Sequence, residues 1–352
     1  MNFNEFSIEL FVFFKKTDIK HLSDLLEQSQ KHFIDSLRQV DDACFSTIGS
    51  IPGKGAYKKN RVVEIVENRI KKAGDGISDI IKGKKHIHEI GLFHSLFDIP
   101  SKTCLNINKG QSFFRMRSSK EKGYDFFNNS GMFVLNYANE NLIGQYRFNR
   151  QGIPALYVAD HLYGCWEETR RPDLQKVNCC RITNVSDLRV LRLYIDNTYT
   201  SIEELLLAWL AMVCCYNVKN DNDKFKFEYS VPNIILDMLQ YHNTNCKDDK
   251  KVHGIKYLSS KYQFTTDEIQ FANIKSLFFN YVFPTMEDFI SKGKGEDLKD
   301  MFKVTKGYSL VFYQIHSLDF AKFETWTNSY HTSIFYSMEQ QLKKEKTEYI
   351  NI

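Results

Sequence analysis

The stretch Arg147-Phe148-Asn149-Arg150-Gln151-Gly152-Ile153-Pro154-Ala155-Leu156-Tyr157-Val158-Ala159-Asp160, followed by Trp166-Glu167-Glu168, joins arginines, an apolar run bearing a tyrosine, and an acidic pair. A nicotinamide dinucleotide asks for all three. Its phosphates suit a guanidinium, its aromatic ring suits a tyrosine face, and its ribose hydroxyls suit a carboxylate. Leu156 and Val158 alternate with Tyr157 and Ala159, so a strand here sends the two pairs to opposite sides. Tyr157 then sits among small residues and can offer its ring face. In the helix expected to follow, Glu167 and Glu168 point about 100° apart, so only one of them faces the core.

A second arginine cluster precedes this one. In Phe113-Phe114-Arg115-Met116-Arg117, strand alternation puts Arg115 and Arg117 on one face and Phe114 and Met116 on the other. Two guanidinium groups on one strand face call for water or anions as partners. Arg147 and Arg150 frame the loop before the Tyr157 strand and add phosphate donors.

Other constellations carry less. Gly53-Lys54-Gly55 lacks the GxxxxGK spacing of a phosphate loop and follows no strand. Lys85-His86-Ile87-His88 projects two histidines from an expected strand, but no set of metal ligands is completed, so it reads as a solvated basic patch. His161 and Cys165 are one helical turn apart and could pair as base and nucleophile. Cys165 nevertheless lies in the apolar strip Leu162, Cys165, Trp166, where a small buried thiol is commonplace. No metal site is expected.

The elements that must position these residues follow from the pattern of the chain. Its 352 residues suit about two domains at ~150 residues each. The 28 Phe and 19 Tyr predict aromatic-rich cores. A net charge of +4 does not argue for nucleic-acid or membrane binding. The eight cysteines include the vicinal pairs Cys179-Cys180 and Cys214-Cys215 and no CxxC, which points to reduced, buried thiols in a cytoplasmic protein. The opening segment lacks the basic start and cleavage site of a signal peptide. The apolar run Leu205 to Cys215 is well short of the ~20 residues that span a membrane, so a buried helix is expected there.

Leu22, Leu25, Leu26, Phe33, Leu37 and Val40 mark one apolar helical face, and Val62, Val63, Ile65, Val66 and Ile70 mark another. A loop is expected at Gly74-Asp75-Gly76, and Pro100 is expected to end a mostly helical domain over 1–105. Strands are expected at Ser112 to Met116, Leu156 to Ala159, Val190 to Ile195 and Ile255 to Leu258. Helices are expected at Tyr163 to Arg171, Ile202 to Val213 and Val231 to Gln240, with Ser201 and Pro232 as start signals. This gives an α+β chain with a mixed domain over 106–265 and an extension over 266–352, read as aromatic helical stretches packing on that domain.

With Phe-Phe-Arg115-Met-Arg, Arg147 to Ala159, Glu168, Tyr229-Ser-Val-Pro232-Asn and Gly254-Ile-Lys-Tyr257-Leu-Ser259-Ser260 in this order, the chain resembles the RES domain family. The step of eleven residues from Tyr157 to Glu168 matches the family's spacing, and the likeness runs from about Gln111 to Tyr262. It implies a fold similar to the ADP-ribosyltransferase toxins and a toxin that degrades NAD at the nicotinamide–ribose bond, by phosphorolysis or hydrolysis. On this resemblance Glu168 holds the ribose, Tyr157 stacks on nicotinamide, Arg115 and Arg147 clamp the pyrophosphate, and Ser259 bonds nicotinamide or ribose. NAD is the substrate, inorganic phosphate a co-substrate, and a proteinaceous antitoxin the expected partner, with homo-oligomers left open and neither membrane nor direct nucleic-acid contact expected. The helical start resembles the HEPN-like domain but lacks its Arg-then-His nuclease pattern. Two departures keep alternatives open: Cys165-Trp166-Glu167 is bulky where the family is small, so Glu167 competes with Glu168, and Ser260 competes with Ser259. ADP-ribose transfer to a macromolecule and a non-catalytic NAD-binding or nucleotide-binding module are the competing functions.

Overall fold

The structure is a computed structural model that describes residues 1–16, 19–48, 57–90, 96–97, 100–118, 129–133, 143–216, 226–259, 275–285, 296–309 and 330–349. In chain order its elements are α1 (Phe3–Lys16), α2 (Leu22–Gln39), α3 (Lys59–Ile81), β1 (Cys104–Ile107), β2 (Ser112–Ser118), β3 (Ala155–Ala159), α4 (Leu162–Glu168), β4 (Val177–Asn184), β5 (Leu188–Leu193), α5 (Ile202–Cys214), α6 (Ser230–Asn245), β6 (Gly254–Leu258), β7 (Phe279–Pro284), α7 (Glu296–Met301), β8 (Phe302–Val304), β9 (Tyr308–Ser309) and α8 (Ile334–Lys344). Short single turns and 3-10 turns connect them. The chain is α+β.

It divides into two compact units, one made of Met1–Leu105 with Leu191–Val252 and the other of Asn106–Val190 with His253–Ile352. This differs from the three consecutive segments expected from the sequence. Residues 191–252 go with the N-terminal helices, and the stretch past 266 belongs to the second unit.

In the first unit, α2 buries Leu25, Leu26, Phe33 and Leu37 at helical spacing, and α3 buries Val62, Val63, Val66 and Ile70. Each burial period is the one written in the sequence. Helix α3 continues through Gly74-Asp75-Gly76, where a loop was expected. The glycines are contact points: a Cβ on Gly74 would lie 1.9 Å from Gln30 Nε2, and one on Gly76 would lie 2.8 Å from Ile90 Cδ1. Pro100 opens a single helical turn, Pro100–Thr103, where a stop was expected. His86 and His88 lie at a 3-10 turn, Ile87–Glu89, where a strand was expected. Helix α5 is buried on all sides, and Ser201 caps it reciprocally with Glu204, as its start signal predicts.

The second unit is organised by a sheet. Among the described residues nine strands run in the order β1-β5-β6-β7-β3-β2-β4-β8, with β9 also pairing β4. The chain passes between units within β1 and β5, while β6-β7-β3-β2-β4-β8 lies wholly in the second unit. The ladders β6–β7, β7–β3, β3–β2, β2–β4 and β4–β8 are antiparallel. One face of this sheet stacks Phe113, Tyr281, Phe283 and Phe302, with ring centroids 4.8–6.2 Å apart between successive partners. Helix α4 covers the other face, where a Cβ on Gly164 would stand 3.5 Å from Ala159 Cβ, and abuts the 3-10 turn before β7, where it would stand 2.8 Å from Leu277 O.

Strands β1, β4, β7, β8 and β9 lie outside the sequence reading, which took the stretch after residue 263 as a mix of aromatic helical segments. Phe279-Asn280-Tyr281-Val282-Phe283 is aromatic and β-branched and ends at Pro284, a strand signature that the surrounding aromatic bias obscures. Among the described residues no helix is long and apolar enough to cross a membrane.

Candidate active site

The sheet opens between β2 and β3. These strands share one register position, Phe114 opposite Ala159, whereas β2 pairs with β4 from Ser112 to Ser118 and β3 pairs with β7 along its whole length. Ladder register aligns Phe114, Ala159, Asn280 and Tyr257 across four strands, so their side chains share the face covered by α4. Tyr157 lies two residues along β3 from Ala159 and points the same way.

The acidic pair of α4 separates into two roles by geometry. Glu167 is 4% exposed and fully engaged: it accepts the Tyr163 hydroxyl at 2.5 Å and Arg171 Nε at 3.1 and 3.0 Å. Arg170 and Arg171 turn the chain sharply with φ of 65° and 50°, a left-handed backbone that non-glycine residues rarely adopt. Glu167 thus closes the end of the helix. Glu168 is half-buried and accepts a hydrogen bond from Asn280 Nδ2 at 2.7 Å. A carboxylate can only accept, which fixes the amide nitrogen of Asn280 toward it.

Tyr257 stands beside Asn280 in the next strand and is 7% exposed. Burial pushes its hydroxyl well above the ordinary tyrosine range, the nearby Glu168 and Tyr157 push it further, and Arg147 opposes them. Glu168, Tyr157 and Arg147 therefore converge electrostatically on one buried phenol. Phe148 packs on the same ring, with centroids 4.9 Å apart.

The arginine-bearing loop is built rather than slack. The buried Asn149 side chain donates to Gly144 O at 3.0 Å, Arg150 O at 3.0 Å and Ile153 O at 3.2 Å. Its Oδ1 accepts the Tyr157 hydroxyl at 2.8 Å, and that hydroxyl in turn accepts Phe148 N–H at 3.1 Å. Gly152, at φ 81°, supplies the left-handed turn that closes the loop. The result holds Arg147 half-buried and leaves Arg150 exposed. It also anchors Tyr157 by its hydroxyl and leaves its ring half-exposed.

Arg115, on the face of β2 opposite Phe114 and hence away from Asn280 and Tyr257, reaches the opening from the other side of the sheet. Its Nη1 donates to Tyr157 O at 2.6 Å, and its Nε is buried without a hydrogen-bond partner among the described residues. Arg117 is 7% exposed and donates to Gly131 O at 3.1 Å. Ser259 is buried two residues beyond Tyr257, with its N–H donating to Phe278 O at 3.0 Å. Ser260 and Gly53-Lys54-Gly55 lie outside the described residues.

The structure thus brings Arg147, Tyr157 and Glu168 together, sets Arg115 against the Tyr157 backbone, and puts Ser259 at the end of β6. Sequence reasoning missed Asn280 and Tyr257 as members of the cluster. Tyr257 lies inside Gly254-Ile-Lys-Tyr257-Leu-Ser259, whereas Asn280 is reached only once Phe279–Pro284 forms a strand.

Cys165 is no nucleophile by its surroundings. Its thiol is buried, hydrogen-bonded to Phe114 O at 3.2 Å, and held far up its range by desolvation, with only a lesser opposing effect from Arg115. None of the eight cysteines forms a disulfide. Among the described residues no group of three or more His, Cys, Asp or Glu is placed to hold a metal ion.

Comparison with known proteins gives one match. The chain is 27% identical over 227 residues to a Bacillus subtilis (strain 168) protein named "Putative toxin YopC". The match covers 58% of this chain and 47% of the relative, so the chain spans about half the length of the curated protein it matches. No protein-family model matches the chain. No solved structure matches it either.

Proposed function

We propose that this protein is a toxin-type enzyme that cleaves NAD at the nicotinamide–ribose bond. The observation that carries the reading is the Glu168 carboxylate, fixed by Asn280 beside Tyr257 on the sheet face that also carries Tyr157. The similarity to a protein named as a toxin supports the biological setting, and with it a proteinaceous antitoxin as partner.

In this mechanism the bond from the anomeric carbon to the pyridinium nitrogen breaks, and its electron pair stays on nicotinamide, which leaves neutral. Positive charge grows on the anomeric carbon, as in glycoside hydrolysis. Glu168, holding the ribose hydroxyls, stabilises that charge from a fixed position. The Tyr157 ring lies against nicotinamide, and Arg147 and Arg115 hold the pyrophosphate. Ser259 bonds nicotinamide or ribose. The oxygen of water or of inorganic phosphate then bonds to the anomeric carbon; water gives up its proton to solvent. NAD is the substrate, and no further cofactor enters.

Chromatography of NAD incubated with the purified protein, with and without phosphate, tests the reading. Nicotinamide release is expected, with ADP-ribose or its phosphorylated form as the second product. Intact NAD would overturn the proposal, and ADP-ribose attached to protein would replace it with the transferase alternative.

A further inference from the structure

The helix that carries Glu168 is only seven residues long, too short to hold itself in place. Its C-terminal end is closed by Glu167 and the Arg170-Arg171 turn. Its N-terminal end is held by a residue almost two hundred positions away. Glu339, in the middle of α8, is 1% exposed. Its Oε1 accepts Leu162 N–H at 2.7 Å and also accepts the Tyr330 hydroxyl, and its Oε2 lies 3.4 Å from His161 Nδ1. Leu162 is the first residue of α4, so its N–H is one of the donors a helix leaves unpaired. His161, the residue before it, makes no side-chain cap of its own.

Helix α8 is tied down in turn. Ser333 caps its start through Tyr336 N at 3.2 Å. Arg181 of β4 donates to Leu342 O at 2.9 Å and Glu345 O at 2.6 Å, at its far end. Phe335 packs on Tyr163 and Trp166 of α4, with centroids 5.4 and 5.5 Å apart. An unbroken chain of contacts therefore runs from β4 through α8 to the first turn of α4.

We infer that Glu339 is a positioning residue that pins the first turn of α4 and so holds Glu168 against Asn280. The inference rests on the reading of Glu168 as the working carboxylate. It makes the last segment of the chain part of the active site.

Amide hydrogen exchange of the full chain, read by mass spectrometry, separates this role from a general contribution to stability. In Glu339→Ala, the amides of Leu162–Glu168 are expected to exchange at least about tenfold faster, while those of β3 and β7 keep their wild-type rates, as loss of one charge-assisted hydrogen bond implies. Glu339→Gln, which keeps an acceptor oxygen for Leu162 and Tyr330, is expected to stay within about threefold of wild type. Should Glu339→Ala not fold, Glu339→Asp, which withdraws the carboxylate by one methylene, is read the same way. Nicotinamide release should show kcat reduced at least about tenfold in the same variant, with KM little changed. Unchanged protection of α4, equal loosening of β3 and β7, or a wild-type kcat would overturn the inference. If the wild-type chain releases no nicotinamide, the NAD reading fails, and the exchange rates alone decide whether Glu339 pins α4.

Discussion

Asn280 Nδ2 lies 2.7 Å from Glu168 Oε1, joining the last turn of α4 to the strand beneath it. The two residues are 112 positions apart in the chain. This bond distinguishes Glu168 from Glu167, whose oxygens are taken by Tyr163 and Arg171. A carboxylate held by a single amide, half-buried beside a neutral phenol, remains available to a ligand.

Replacing Asn280 with Ala should leave the fold intact and cut nicotinamide release by roughly 10- to 100-fold, since a hydrogen bond to a charged group contributes about 1.5–3 kcal/mol. Asn280→Asp should be worse, because a second carboxylate at this distance raises the proton affinity of the pair. Steady-state kinetics across pH should show the Asp variant recovering only as pH rises.

Arg115→Ala should weaken NAD binding by about tenfold or more while kcat at saturation changes less. Calorimetry on the folded variant checks this, and undiminished affinity would remove Arg115 from the site. Arg115→Lys is expected to restore little of the binding, because a guanidinium can span the Tyr157 carbonyl and an anion together, whereas an ammonium offers a single point.

Alkaline conditions should destabilise the second unit. Burial holds the Tyr257 hydroxyl well above its ordinary range and pushes the Cys180 thiol up to about 12. Both groups are neutral when protonated, and the folded state keeps their protons where the unfolded chain would lose them. Their contribution is full below the unfolded thiol value of about 8.5 and the unfolded tyrosine value of about 10, and is lost as pH rises past each. Urea denaturation between pH 7.5 and 10.5 should show the midpoint falling with pH, and Tyr257→Phe should flatten the upper part of that fall.

Gly164→Ala should cost about 1–3 kcal/mol, since the added methyl meets a backbone carbonyl that cannot move aside cheaply. The contact is with Leu277 O at 2.8 Å. Thermal melts would detect the loss; an unchanged melting temperature would mean α4 sits further from the sheet.

Much of this arrangement was legible in the residues. The Tyr157 strand, the helix after it and the Arg115 strand all carry their periods openly, and Ser201 announces the start of α5. What stayed hidden is long-range. Asn280 becomes a site residue only because β7 pairs with both β3 and β6, and single-strand patterning says nothing about neighbours. Gly74 and Gly76 look like a break because glycine lowers helix propensity, yet α3 runs through them, and Gln30 and Ile90 fill the space beside them. The tie between Glu167 and Arg171, whose left-handed backbone returns its side chain to the helix, is likewise invisible to helical spacing alone.

The most direct test compares Glu168→Gln with Glu167→Gln in the same nicotinamide-release assay, alongside thermal melts. Glu168→Gln is expected to lose at least about 100-fold in kcat with its melting temperature preserved, the loss of a transition-state charge partner. Glu167→Gln should melt earlier while its folded fraction keeps most of the activity. Wild-type turnover by Glu168→Gln, or the reverse pattern between the two, would contradict the account.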